Sequence, residues 1–267
     1  MQHLFKVWGE VASRLKSAKH ILLICDYDGT LTPIVDRPEL AILSEKTRGS
    51  LHTLARDRRY TVGVVSGRAL SDLKSKVKVK GIFYAGNHGL EIEGTSSSFL
   101  SPVAEELRPM VQVLGQVLSI ALSGIKGVFV EDKGLTLSVH YRQVVDELEE
   151  SKAKRAFDGV VAPLHNLGKV QVTRGKKVYE IRPPTDWNKG KAITWLLARC
   201  RGAGKKGGAL PVFLGDDLTD EDGFKVVKEM GGISIFVGEE YPRSMAYYFL
   251  DSPRQVNEFL ERLIRLK

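Results

Sequence analysis

Four short runs of the chain are apolar almost without a break: HILLICD (20–26), YTVGVVSG (60–67), ALPVFLGDD (209–217) and GISIFVG (232–238). A strand with one face in water alternates apolar and polar residues, so a strand apolar at nearly every position must be covered on both faces. Between these runs lie segments with apolar residues at helical spacing. In 4–16, Leu4, Val7, Trp8, Val11 and Leu15 share one side. Strand and helix in alternation predict an α/β fold with a doubly wound parallel sheet. Further helices are expected at 44–57, with Ser44 as N-cap, and at 189–200, 219–230 and 253–265. A further strand is expected in GIFYAGNHG (81–89), and a Gly/Lys-rich loop after residue 200.

The pattern changes near residue 94. EGTSSSF (93–99) reads as a polar linker, followed by a helix over about 103–122 and two strands in 127–142 around a DKG turn. A charged helix at 144–158 then precedes a second hairpin in 169–183 around RGKK. Two hairpins with helices between them make a small α+β module. The expected division is a core of residues 1–98 plus 184–267 and an inserted module of residues 99–183.

With 43% hydrophobic and 27% charged residues among 267, the chain has the balance of a soluble globular protein. Its net charge of +8 favours anionic partners. The basic clusters KSKVKVK (74–80) and RGKK (174–177) read as solvated surface, and no nucleic-acid motif accompanies them. The two cysteines, Cys25 and Cys200, have no CxxC spacing, which excludes a disulfide framework and a zinc ligand set. The N-terminal stretch carries charges throughout, unlike a signal peptide, and no run of about 18 apolar residues offers a membrane span. These features predict a cytoplasmic protein that meets neither membrane nor nucleic acid; they leave the oligomeric state open, with a monomer as the working expectation.

In parallel sheets, ligands bind beyond the carboxyl ends of the strands, and the unusual residues of this chain collect there. Asp26 and Asp28 end one strand and share a face. Like charges so close call for a cation or a shared proton, unless the pair is an Asx-type turn leaving the sheet. Ser66 and Gly67 end a second strand. Asp216 and Asp217 end a third, which continues as GDDLTDEDGF (215–224). Asp26, Asp28 and Asp216, converging from different strands, make an oxygen-ligand site suited to Mg²⁺. Asp220, Glu221 and Asp222 also fit a helix N-terminus. Lys189, in DWNKGKA (186–192), falls in the first turn of a helix that Asn188 or Asp186 can cap. The helix dipole disfavours a lysine there, and an anionic ligand accounts for it.

The segments DYDGTL, VVSGR, NKGKA and GDDLTDEDGF resemble, in order and in strand context, the four signature motifs of haloacid-dehalogenase-type phosphatases. The insertion between the second and third resembles the larger cap of the sugar-phosphatase branch. DYDGTLTPIVDRPELA, AGNHGLEI, LSVHYR, YEIRP and FLGDDLTDEDGF are similar to trehalose-6-phosphate phosphatases along nearly the whole chain, more sparsely within the cap. The resemblance implies Mg²⁺-dependent hydrolysis of trehalose 6-phosphate through an aspartyl-phosphate. It casts Asp26 as nucleophile, and Asp28 as the acid that protonates the leaving sugar oxygen and then accepts a proton from water. Mg²⁺ would be held by Asp26, the Asp28 backbone carbonyl and Asp216. Ser66 and Lys189 would hold phosphoryl oxygens, with Gly67 and Arg68 beside the substrate. Behind them, Asp217 and Asp220 would support the site, Asp220 by orienting metal-bound water or Lys189. The Thr30 hydroxyl would fix the loop after Asp28.

Asn87, His88, Glu131, Lys133, Glu180 and Arg142 are the expected sugar readers on the same resemblance. Other readings stand beside these: a buried structural role for His88, a solvated hairpin tip for Glu131 and Lys133, and a cap carboxylate as partner of Arg142. The alternative within the enzyme class is a related phosphatase acting on sucrose phosphate, a glucosyl- or mannosyl-phosphoglycerate or a hexose phosphate. A non-catalytic phosphate-binding module is a further alternative, against which intact Asp26, Asp28, Lys189 and Asp216 argue. A kinase is excluded because no GxxxxGK[ST] loop is present.

Overall fold

A computed structural model describes residues 1–95, 97–175, 177–202, 208–239 and 243–266. Strand β1 (Gln2–His3) leads through a 3₁₀ turn (Leu4–Val7) into helix α1 (Trp8–Ser17). Strand β2 (Ile21–Asp26), helix α2 (Glu45–Arg56) and strand β3 (Tyr60–Val65) follow. Ser44 caps α2, its Oγ accepting from Thr47 N at 3.1 Å. Next come α3 (Leu70–Val77) and the strands β4 (Phe83–Gly86), β5 (Glu91–Glu93) and β6 (Ser98–Leu100). The insertion holds α4 (Pro102–Leu122), β7 (Phe129–Asp132), β8 (Leu137–His140), α5 (Glu147–Asn166), β9 (Gln171–Gly175) and β10 (Val178–Arg182). The chain then builds α6 (Lys189–Gly202), β11 (Leu210–Gly215), α7 (Glu221–Glu229), β12 (Ile233–Val237), β13 (Tyr248–Leu250) and α8 (Pro253–Arg265).

Nine of these strands form one sheet in the order β1-β13-β12-β11-β2-β3-β4-β5-β6. The ladders from β1 to β4 are parallel, and β5 runs antiparallel to β4. The apolar runs are buried on both faces, as expected. In β2, Ile21, Leu23 and Cys25 enter one core with residues of α1, α2, α3 and α8, whereas Leu22 and Ile24 enter a second core with α6 and α7. Each such apolar side chain, once buried, stabilises the fold by about 1.5–3 kcal/mol. Strand β2 is the switch point. It leads on to β3 on one side, while β11, arriving from the far end of the chain, pairs with its other edge. The carboxyl ends of β2, β3 and β11 therefore lie together, where such sheets bind ligands.

The chain separates into two compact units, Met1–Phe99 with Trp187–Lys267, and Leu100–Asp186. The smaller unit has a four-stranded antiparallel sheet in the order β7-β8-β10-β9. Alternation along its strands puts Val139, Tyr179 and Ile181 into a core with Val111, Leu114 and Leu118 of α4 and Phe157 and Val161 of α5. Within the larger unit, the points where the chain leaves and returns are clasped. The Phe99 and Trp187 rings stack with centroids 4.1 Å apart at an interplanar angle of 16°.

Several local expectations are corrected. The stretch read as a linker contributes β6, an edge strand, because Phe99 packs against Trp187 and Trp195; its Ser96 lies outside the described residues. The KSKVKVK cluster belongs partly to α3, whose Leu73 and Val77 are buried beneath its lysines. Helix α5 runs on to Asn166, well beyond 158. Lys176 of the RGKK turn and residues 203–207 of the Gly/Lys-rich loop fall outside the described residues. No helix among the described residues is long and apolar enough to cross a membrane.

Candidate active site

At the carboxyl edge of the sheet a single ammonium serves a cluster of carboxylates. Lys189, at the start of α6, donates from Nζ to Asp26 Oδ1 and to Asp220 Oδ1, each at 2.7 Å, and all three groups are buried. The helix that carries it begins at Asn188, whose Oδ1 accepts from Lys191 N at 3.0 Å. Asp220 is fixed from the other side. Its Oδ2 accepts from the backbone N–H groups of Asp216 (3.1 Å) and Asp217 (3.2 Å). The Asp217 carboxylate is taken up by Thr219, through N at 2.7 Å and Oγ1 at 2.6 Å.

Asp26, Asp216 and Asp220 each bring an oxygen within 4.8 Å of the others. Both Asp220 oxygens already accept hydrogen bonds, so Asp26 and Asp216 are the carboxylates that can face a cation. Asp216 reaches this position because residue 29 is a glycine. Its φ of +84° suits the loop after Asp28, and a Cβ there would fall 2.1 Å from Asp216 Oδ2. Burial pushes the Asp26 carboxyl well above the usual carboxylate range; Lys189 opposes this, and Asp220 and Asp216 add to it. Burial also works against the Lys189 charge, but Asp220 and Asp26 outweigh it and hold the ammonium well above its ordinary value. The cluster is short of positive charge. A hard divalent ion with oxygen ligands fits that deficit.

Asp28 faces a different partner. Arg68 donates from Nε to Asp28 Oδ2 and from Nη2 to Asp28 Oδ1, both at 2.7 Å, a bidentate pair. The same guanidinium donates to Asp72 Oδ2 at 2.7 Å and to the Pro38 carbonyl at 2.8 Å. Arg68 was expected beside the substrate; four of its five N–H groups go to these three acceptors. Thr30 was expected to fix the loop after Asp28, and its Oγ1 points to Asp216 Oδ1 at 3.5 Å. The loop is also closed by Thr32, whose Oγ1 donates to the Tyr27 carbonyl at 3.2 Å and whose own carbonyl accepts from Gly29 N at 2.8 Å.

Ser66, buried at the end of β3, accepts on Oγ from Arg68 N at 3.2 Å. Gly67, next to it, has the His88 imidazole packed against it. His88 and Asn87 are both buried and both left-handed, with φ of 57° and 48°. Burial raises the Asp217 carboxyl, but Lys189, then Thr219 and last His88 bring it below its ordinary value. Asn87 turns its amide away to Glu91, Nδ2 donating to Oε1 at 2.7 Å. Glu91 was not anticipated from sequence. The local sign of it is a carboxylate two residues beyond the glycine of an NHG turn.

In the smaller unit, the strand register lines up Glu131, Ser138 and Glu180 across β7, β8 and β10. This row occupies the sheet face opposite the helices. Lys133 is not a solvated tip: its side chain is 8% exposed, and Nζ donates to Glu180 Oε1 at 3.1 Å. Glu131 Oε2 lies 2.8 Å from His140 Nε2, and the His140 ring stacks on Phe129. His140 was missed in the sequence, although the period of two places it on the same face as Ser138. Arg142 is exposed just beyond β8.

This sheet, with β2 at its switch point, has the haloacid-dehalogenase-like fold. A haloacid dehalogenase-like hydrolase from Bacteroides thetaiotaomicron shares the fold with a TM-score of 0.60 at 17% identity, over 92% of this chain and all of that one. The chain belongs to the trehalose-phosphatase family, whose model matches residues 24–254. It is therefore an enzyme of the phosphomonoester hydrolase class. Trehalose-phosphate phosphatase B of Arabidopsis thaliana is 36% identical over 98% of this chain and 70% of its own length. Trehalose 6-phosphate phosphatase RA3 of Zea mays is 35% identical over 93% and 71%. The C-terminal domain of C. albicans trehalose-6-phosphate phosphatase superposes with a TM-score of 0.82 at 26% identity, over 97% of each chain.

Proposed function

We propose that this chain hydrolyses trehalose 6-phosphate to trehalose and phosphate. The observation that carries the reading is the buried Lys189–Asp26 pair beside Asp216, in a chain similar to trehalose-phosphate phosphatases over nearly all its length. Asp26 attacks phosphorus, the bond to the sugar oxygen breaks, and an aspartyl-phosphate forms. Lys189 and the Ser66 hydroxyl hold the phosphoryl oxygens; Ser66 Oγ accepts from Arg68 N, so its hydrogen is left to donate. Asp26, Asp216 and the Asp28 carbonyl would hold Mg²⁺, which when bound offsets the crowded negative charge. Water then attacks phosphorus, the Asp26–phosphorus bond breaks, and phosphate leaves.

Asp28 moves the protons, giving one to the departing sugar oxygen and taking one from the attacking water. A protonated carboxyl has one O–H to donate and keeps lone pairs that accept, so the acid form of Asp28 can give its proton to the sugar oxygen while Arg68 still holds the side chain. Asp28→Asn should therefore slow trehalose 6-phosphate hydrolysis by ~10²–10⁴-fold, the usual range for a general acid. Hydrolysis of p-nitrophenyl phosphate should fall much less, since its phenolate leaves without a proton. Equal losses on both substrates would remove the acid role from Asp28.

A phosphoryl site of this kind admits any phosphomonoester, so selectivity must come from other groups. We assign sugar recognition to Glu131, Lys133 and Glu180. A hydrogen bond to a charged group contributes roughly 1.5–3 kcal/mol, so losing one acidic reader should cost about 10- to 150-fold in kcat/KM for trehalose 6-phosphate. Glu131→Ala and Glu180→Gln should leave p-nitrophenyl phosphate turnover nearly unchanged; the second is chosen so that Lys133 keeps an acceptor. Phosphate release measured across a panel of sugar phosphates tests the substrate itself. A preference for sucrose phosphate or a phosphoglycerate glycoside would overturn the trehalose assignment while leaving the phosphatase.

A further inference from the structure

Asn87, His88 and Gly89 occupy the left-handed region in succession, with φ of 48°, 57° and 93°. Two non-glycine residues in that region side by side, both buried, persist only where their surroundings over-determine them. Here the surroundings are the phosphoryl site. Asn87 N donates to the Arg68 carbonyl at 2.7 Å and His88 N to the Ser66 carbonyl at 2.9 Å, so the turn grips the 66–68 loop at both ends. On its other side the turn packs on α6, where a Cβ at Gly89 would fall 2.6 Å from Ala192 Cβ, one helical turn after Lys189. One turn thus touches the supports of both groups proposed to hold the phosphoryl oxygens.

What pins the turn is Glu91. A single oxygen, Oε1, accepts from Asn87 Nδ2 at 2.7 Å and from Leu70 N, at the start of α3, at 2.9 Å. The side chain ties β5, the turn and the segment just after Arg68 into one bracket. We propose that Glu91 is a positioning residue of the phosphoryl site, acting through the Asn87–Gly89 turn on Ser66 and on the start of α6. The inference rests on the phosphatase reading above and deepens it. It also gives Asn87 the role of a fastener rather than a sugar contact.

Because the phosphoryl site is common to all substrates, the effect must be as well. Glu91→Ala should lower kcat by about 10²-fold, the scale of a misplacement near 1 Å, for trehalose 6-phosphate and p-nitrophenyl phosphate alike, with KM changing less. Glu91→Gln keeps an oxygen acceptor at the same reach and should restore kcat to near the wild-type value. Thermal melting of each variant accompanies the kinetics. A Glu91→Ala protein with wild-type kcat and only a lower melting temperature would show a merely structural role and overturn the proposal. Glu91→Gln as damaged as Glu91→Ala would overturn it too, because the acceptor oxygen would not be what matters. Should Glu91→Ala fail to fold, Asn87→Ala breaks one of the same two bonds from the other side. Loss on both substrates supports the bracket, and loss on trehalose 6-phosphate alone makes Asn87 a sugar contact and overturns it. A wild-type chain inert to both substrates would overturn the phosphatase reading and this inference together.

Discussion

Asp26→Asn should leave a folded protein whose phosphate release is slower by on the order of 10⁴–10⁶-fold, the scale seen when a nucleophile is removed. An amide cannot form the acyl-phosphate, and none of the neighbouring carboxylates is placed to replace it. Asp220 has both oxygens engaged, Asp28 is held by Arg68, and Asp216 is assigned to the ion. The same change should not weaken the metal-free fold. Burial, with Asp220 and Asp216, raises the Asp26 carboxyl despite Lys189. An acid raised in the folded state costs stability once it ionises. That cost is absent below the ordinary carboxylate pKa of about 3.9 and grows as pH climbs from there toward the folded value. Asparagine never carries the charge. Without metal at neutral pH, Asp26→Asn should melt at or above the wild-type temperature, and the difference should vanish near pH 4. Substantial turnover by this variant would rule out Asp26 as nucleophile, and a lower melting temperature would contradict the charge-deficit account.

The second large effect is on the metal. Phosphate release should disappear in excess EDTA and return when Mg²⁺ is restored. Binding should also be visible without substrate. A ligand at 100 times its Kd stabilises the folded state by about 2.7 kcal/mol, so Mg²⁺ should raise the melting temperature of the wild type. Asp26→Asn loses one of the two carboxylates assigned to the ion and should gain less. Full activity after rigorous chelation would sink the metal assignment, and an equal melting shift in both proteins would take Asp26 out of the ligand set.

The doubly wound core was readable because strands such as Ile21–Asp26 are covered on both faces and leave no room for polar residues. Elements with few buried positions were not readable. Helix α3 buries Leu73 and Val77 under a run of lysines, and β6 and β13 are three residues long. At the site, Asp26, Asp28, Asp216 and Lys189 were conspicuous because each is locally unfavourable where it stands, a carboxylate at a strand end or a lysine at a helix start. Pairings were another matter. Arg68 finds Asp28 forty residues away, and Lys133 finds Glu180 across forty-seven. Neither partner leaves a local trace, since both depend on a register that only tertiary packing sets. Glu91 was hidden for a similar reason. In an alternating strand, a glutamate looks like surface until the Asn87 turn folds over it.

The stacked Phe99 and Trp187 rings have a consequence for how such a chain can change over time. They hold the exit and re-entry of the excursion at one place, so in chain-entropy terms a whole folded domain is tethered as though it were a single loop. The entropy of closing a loop grows only with the logarithm of its length, about 0.6 kcal/mol for each doubling. The catalytic half is therefore nearly indifferent to how much polypeptide lies between those rings. Lineages can lengthen, shorten or exchange that cassette at little cost to the unit that carries Lys189 and its carboxylates.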